Sequence, residues 1–354
     1  MAMLRLAVSG KTPLIFDPAQ RGDAPELSPA IARAAAPALR KSQPLVVMVH
    51  GYKFDPYDPN AANPHEYLYH FDPERAVADR WQRPASWPAG LGFRERDPWG
   101  IDGLCVGFAW SSRPNQRMGA FCRAYQEAGN AGRALLQTLE SLAEAYPARD
   151  IDIFVHSLGA RVALTALRVA ARRGRVDVLE RVGRVLLLGP AELASVARDT
   201  MEAIEHAAPA RKPEIYSVVA RENDFFDVLV ERFAPKIKGV TPICVGSHGM
   251  GEDFGGWLDL QLDSPALQEW LSARGVVIGG GHPRKVCHWG VYNRPGALDL
   301  YADILRNRPR WSISAMQAEG VPTEQEQRWA SLPKPRFFSR KHSSKNAVDS
   351  QALS

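Results

Sequence analysis

Ile151 to Arg168 reads IDIFVHSLGARVALTALR, and its two halves obey different periodicities. Ile151, Ile153, Phe154 and Val155 form an apolar run broken only by Asp152, the pattern of a parallel strand buried on both faces. Val162, Leu164, Leu167 and Val169 recur among small residues at helical spacing. Between them lies His156-Ser157-Leu158-Gly159, so the strand must become a helix within four residues. That forces a sharp bend with the apical side chain thrust out above the sheet. A serine at such an apex has the geometry of a nucleophile elbow, and the helix starting beneath it can support negative charge with its N-terminal amides and dipole. Serine is also a common helix N-cap, so the tetrapeptide alone leaves both roles open. It departs from the G-x-S-x-G form as well, because Val155 stands where the first glycine belongs, although Gly159 is present.

A chain of 354 residues has room for one large α/β domain or two small ones, and can bury a sizeable core. Hydrophobic residues at 45% and charged residues at 23% are ordinary globular values. The net charge of +5 is local: Lys334, Arg336, Arg340, Lys341 and Lys345 against Asp349 give residues 331–354 a charge of +4. The basicity therefore belongs to a tail and gives no reason to expect a nucleic-acid partner. Cys105, Cys122, Cys244 and Cys287 are widely spaced with no C-x-x-C pair, which predicts free thiols rather than a zinc site or disulfide scaffold. The N-terminal stretch lacks the apolar segment of a signal peptide. No stretch approaches the ~20 apolar residues of a membrane span, and a cytoplasmic protein is expected.

Along the chain, Leu4 to Val8 and Pro13 to Phe16 predict an opening pair of strands. Pro44 to Tyr52, PLVVMVHGY, reads as a buried strand ending in His-Gly. Residues 53–100 change texture, with many Pro and Asp and a dense set of aromatics that includes Phe54, Tyr57, Tyr67, Tyr69, Phe71, Trp81, Trp87, Phe93 and Trp99. Such an insertion suits a cap over an active site, its aromatics anchoring it or lining an apolar pocket. Gly103 to Trp110, Arg184 to Gly189 and Glu214 to Ala220 are further buried strands, and Trp257 to Leu262 alternates as an edge strand would. Helical spacing marks Ala124 to Tyr146, Pro265 to Ala273 and Leu298 to Leu305. The succession of strand, helix and strand predicts an α/β fold with a mainly parallel central sheet, helices on both faces and a cap insertion. The domain is expected to span residues 1–310, with order doubtful from about Arg308. An extension follows over 311–354, disordered from about 331.

A serine hydroxyl needs a base to take its proton and an acid to hold that base in the right tautomer. Ser157, Asp224 and His288 follow one another in the order nucleophile, acid, base, each at or shortly after the carboxyl end of a predicted strand. Asp227 and Glu192 are alternatives for the acid, and His282 for the base. His156, beside the serine, points the wrong way in an elbow. The oxyanion of an acyl-transfer intermediate would face the amides of Tyr52, just after His-Gly, and of Leu158, just after the nucleophile.

The set HGY at Gly51, FAWSS at Trp110, VHSLG at Ser157, LLLGPAE near Gly189, SVVARENDFF at Asp224 and HWGVY at His288 resembles the lipase-like bacterial α/β-hydrolases over roughly residues 44–306. The resemblance implies an α/β-hydrolase fold, Ser157 as nucleophile, Asp224 and His288 as its partners, and Tyr52 and Leu158 as amide donors. Val155 and the insertion at 53–100 depart from that pattern. The activity expected is hydrolysis of a small-molecule carboxylic ester with an apolar acyl group through an acyl-enzyme. No metal or organic cofactor is expected, because the chain has no G-x-G-x-x-G, Walker loop or metal-spaced His/Cys cluster. An acyltransferase or amidase using the same triad, or a non-catalytic hydrolase-fold binding protein, is the alternative.

Overall fold

Eight strands form one sheet: β1 (Met3–Ser9), β2 (Thr12–Ile15), β3 (Leu45–Val49), β4 (Leu104–Ala109), β5 (Ile151–His156), β6 (Val182–Leu188), β7 (Glu214–Val219) and β8 (Trp257–Gln261). The structure, a computed structural model, describes residues 3–17, 24–36, 39–40, 42–58, 62–72, 85–95, 102–113, 119–236, 238–250, 254–281 and 286–326. Strand order is β2-β1-β4-β3-β5-β6-β7-β8, and only the β1–β2 hairpin is antiparallel. The strands carry runs such as LVVMV and LCVGFA because they are covered on both sides. Alternate residues face opposite layers. Val47, Val49, Ile153, Val155, Val185 and Leu187 look toward α1 (Pro29–Ala35), α2 (Ala120–Ala145), α3 (Gly159–Arg172) and α4 (Ala194–Ala207). Val46, Met48, Phe154, Leu186 and Leu188 look toward Trp87, Tyr292, Tyr301 and Trp311 on the other face.

The order places the site. From β3 the chain steps to β4 on one side, then crosses back so that β5 pairs β3 on the other. Loops leaving β3 and β5 diverge there, and α/β sheets bind ligands in the crevice outside the carboxyl ends of such strands. His50-Gly51-Tyr52 and Ser157 flank that crevice.

One expectation needs adjustment. The packed body runs past 310. Trp311 is fully buried, Ile313 and Met316 of the helix Ile313–Ala318 join the same core, and Val321 follows. Tyr216 Oη donates to Trp311 O at 2.6 Å and Arg184 Nη2 to Arg308 O at 2.7 Å, tying this segment to β7 and β6. Within 53–100, the described aromatics divide by role. Trp87 packs edge-on against Phe154 at 5.1 Å and Tyr292 at 5.5 Å, and Tyr69 donates to Phe108 O, so these anchor the segment to the sheet. Trp81, Trp99 and the tail 331–354 lie outside the described residues. Among those described, no helix is long and apolar enough to cross a membrane.

Candidate active site

Ser157 directly follows β5 with φ of 55°, a left-handed conformation that a serine adopts only under constraint. Leu158 returns to the right-handed region and α3 begins at Gly159. The bend is held from both sides: Ser157 N donates to Leu188 O at 2.9 Å, and Ser157 O accepts from Ala191 N at 3.0 Å. The glycines that this geometry requires are Gly159 and Gly51. A Cβ at Gly159 would lie 2.7 Å from Val49 O, and one at Gly51 would lie 2.7 Å from the Ser157 Cβ. Val155 meets no such crowding: it sits in β5 paired with Val49 and Leu187, fully buried.

His288 Nε2 lies 2.8 Å from Ser157 Oγ. Its Nδ1 lies 2.7 Å from Oδ1 of Asn223, the residue before the expected acid. Asp224 is not at the histidine. Its carboxyl pairs with the Arg221 guanidinium at 3.2 Å, both groups buried. The reason is helical phase. After β7 the chain makes a 3₁₀ turn, Arg221–Asn223, and enters α5 (Asp224–Phe233) directly. Successive residues then rotate by about 100°, so Asn223 and Asp227, four apart, share one face while Asp224 turns away with Arg221. Asn223 Nδ2 donates to Asp227 Oδ1 at 2.9 Å. Glu192, the other candidate acid, is committed elsewhere: it is fully buried, bonds Tyr125 Oη and pairs with Arg161 at 2.8 Å. His282 lies outside the described residues.

The carboxyl of Asp227 fixes more than a position. An amide presents a carbonyl oxygen on one side and an NH₂ on the other. With Nδ2 spent on Asp227, only Oδ1 remains to face His288, and it can only accept. His288 must then carry its proton on Nδ1, which leaves the Nε2 lone pair directed at the Ser157 hydroxyl. Asn223 thereby sets the tautomer that an acid would set, without supplying a charge.

Burial pulls the His288 pKa well below its ordinary value, and the neighbouring His156 and Lys53 push it in the same direction. The ring lies between His156, 4.5 Å away by centroids, and Phe226, at 4.3 Å. His156 does point away from the serine hydroxyl, and its Nε2 donates to the His288 carbonyl at 2.9 Å, bracing the segment that carries His288. Burial holds it neutral, with its pKa lowered to about 4. His50 has a parallel task. Trp110 N donates to its Nε2 at 3.0 Å, so its Nδ1 bears the proton and donates to Gly51 O at 2.9 Å. A planar trans peptide turns N–H and C=O to opposite sides, so pinning the Gly51 carbonyl fixes the direction of the Tyr52 N–H. Among the described residues, neither the Tyr52 nor the Leu158 amide is taken by a backbone carbonyl.

A cavity of about 640 Å³ opens onto Ser157 and His288. Its walls are mainly apolar, with Phe54 and Tyr67 from the 53–100 segment, Phe121 from α2, and Phe226 and Phe233 from α5. Among the described residues no group of three or more His, Cys, Asp or Glu is placed to hold a metal ion.

The family model described as alpha/beta hydrolase of unknown function (DUF900) matches residues 36–224, more than half of the chain. The chain belongs to this family of α/β-hydrolases. No curated protein matches it. The matched region contains the Gly51–Tyr52 turn, the elbow at Ser157 and Asn223, whereas Asp227 and His288 lie beyond it. The sheet and helices described above are those of an α/β-hydrolase.

Asn223, His50 and His156 are the site residues that sequence reasoning did not assign. A search for an acid passes over Asn223, although an amide oxygen can accept from Nδ1–H. The usable signal was the pairing of Asn223 with Asp227 at helical spacing just after a strand.

Proposed function

We propose that the chain is a serine hydrolase that cleaves carboxylic esters through an acyl-enzyme on Ser157. The single observation that carries this reading is the 2.8 Å approach of His288 Nε2 to a serine hydroxyl held at a left-handed bend above a helix N-terminus. In the proposed sequence His288 takes the Ser157 proton while Oγ attacks the ester carbonyl. The carbonyl oxygen gains charge toward the amides of Tyr52 and Leu158. His288 then passes its proton to the departing alcohol. A water, deprotonated by the same nitrogen, attacks the acyl carbon, and Ser157 recovers its proton as the acid product leaves. Asn223 orients the imidazole through a neutral dipole, and Asp227 stands one hydrogen bond behind it. The apolar walls favour an apolar acyl chain.

The test is a series of p-nitrophenyl esters of increasing acyl length. Each added methylene that enters the cavity should raise kcat/KM by about fourfold, the equivalent of ~0.8 kcal/mol of apolar burial, until the cavity is filled. Absence of turnover with every ester in the series would remove the ester-hydrolase reading.

A further inference from the structure

We propose that the site selects esters carrying an anionic group, which the Lys53 ammonium receives at the mouth of the cavity. The inference rests on the ester-hydrolase reading and adds the charge of the substrate to it. Lys53 lines the cavity with Ser157 and His288 and is exposed to solvent. Among the described residues lining that cavity it is the one Lys or Arg. The lining carboxyl, Asp227, accepts from Asn223.

No described Asp or Glu forms an ion pair with Lys53, and its Nζ lies 6.0 Å from the Tyr52 ring centroid. The carboxylates nearest in sequence are engaged elsewhere. Asp55 accepts from the amides of Tyr57 and Asp58 at 2.8 and 3.1 Å and bonds Ser111, and Asp58 faces Arg113 at 3.9 Å.

The backbone is built to hold this residue in place. Lys53 has φ of 74°, a left-handed conformation unfavourable for a lysine. Four bonds to one serine fasten the turn: Lys53 N donates to Ser112 O at 3.4 Å, Phe54 N to Ser112 Oγ at 2.9 Å, Ser112 N to Phe54 O at 2.8 Å and Ser112 Oγ to Phe54 O at 3.0 Å. Residue 53 thus directly follows the candidate oxyanion amide, on a turn fixed relative to Ser157.

The charge has a cost with neutral substrates. When His288 accepts the serine proton it becomes a cation, and its orienting partner Asn223 is neutral. Lys53 lies close enough to oppose that charge. A negative group on the substrate would pair with the ammonium and relieve the opposition as the imidazolium forms. Substrate binding and proton transfer would both benefit.

The experiment compares kcat/KM within two matched pairs. The first is the p-nitrophenyl half-ester of adipic acid against its methyl-capped diester, which places the charge on the acyl side. The second is 4-carboxyphenyl against 4-carbamoylphenyl hexanoate, which places it on the leaving group. A preference of about two- to fivefold for the charged member, the upper part of the range of a solvent-exposed ion pair, is expected in at least one pair. It should shrink toward one as salt is raised, vanish in Lys53→Met and invert in Lys53→Glu. The pair that responds identifies the side on which the charge sits. Turnover in both pairs with ratios near one, or a ratio that survives Lys53→Met, would overturn the inference and leave the hydrolase reading intact. If neither charged nor neutral ester is cleaved, both readings fall together.

Discussion

His288→Ala is expected to lower kcat/KM for any ester the protein hydrolyses by about 10⁶-fold, the scale reached when the base of a serine–histidine pair is removed. The variant takes away the only group placed within hydrogen-bond reach of the Ser157 hydroxyl on the cavity side among the described residues, at 2.8 Å. The pH profile gives a second readout. His288 must be neutral to accept a proton, and burial first, then His156 and Lys53, hold its pKa well below the ordinary histidine value. In the unmodified protein kcat/KM should therefore stay flat as pH falls through ~6.5 and decline only at distinctly lower pH. Protonation of this one imidazole causes the decline, so the limb should be absent from the residual rate of His288→Ala. His282→Ala should keep both the rate and the limb. A profile that bends at the ordinary histidine value, or an inactive His282→Ala beside an active His288→Ala, would move the base elsewhere.

Asp227→Asn is expected to reduce kcat by between about 10² and ~10⁴, with KM little changed. The upper bound is the cost of holding a catalytic histidine in the wrong tautomer. An amide at 227 can donate as well as accept, so it no longer obliges Asn223 to present Nδ2. Once the Asn223 amide turns over, its NH₂ faces His288 Nδ1, which must then accept. The ring proton moves to Nε2, and the nitrogen beside Ser157 has no lone pair left for the hydroxyl proton. The substitution keeps the size of the side chain, and Asp227 touches neither Ser157 nor His288 among the contacts described. Asp227 is thus a positioning residue. Equal losses in kcat and thermal stability, with the acid limb unmoved, would show that it merely supports α5. Unaltered kcat would show that Asn223 holds its orientation unaided.

The same physics explains what could be read from the chain. The strands were legible because a sheet covered on both faces needs long apolar runs, and LVVMV or LCVGFA leaves little choice. Ser157 was legible because a strand pattern gives way to a helix pattern around it. Asn223 was not, since a single residue of phase at a helix start turns a side chain by about 100°. No periodicity settles whether a 3₁₀ turn precedes the first helical residue. The tasks of His50 and His156 depend on Trp110 and His288, 60 and 132 residues away, and only the folded sheet brings them together. Trp311 was concealed by its polar neighbours Arg308 and Arg310; Arg308 is drawn in by the buried carboxyl of Asp152 on β5, a partner 156 residues away in the chain. Even the absent glycine at Val155 has a spatial answer: the close approach is made by Gly51 from the neighbouring strand.

The central claim is that Ser157 is the nucleophile and that His288 activates it. Incubating the full chain with a fluorophosphonate and mapping the adduct by peptide mass spectrometry tests this most directly. A single phosphonyl group should appear on the peptide carrying Ser157, be absent from Ser157→Ala, and form far more slowly in His288→Ala. Labelling at another residue, or labelling of Ser157 at an undiminished rate in His288→Ala, would contradict the account.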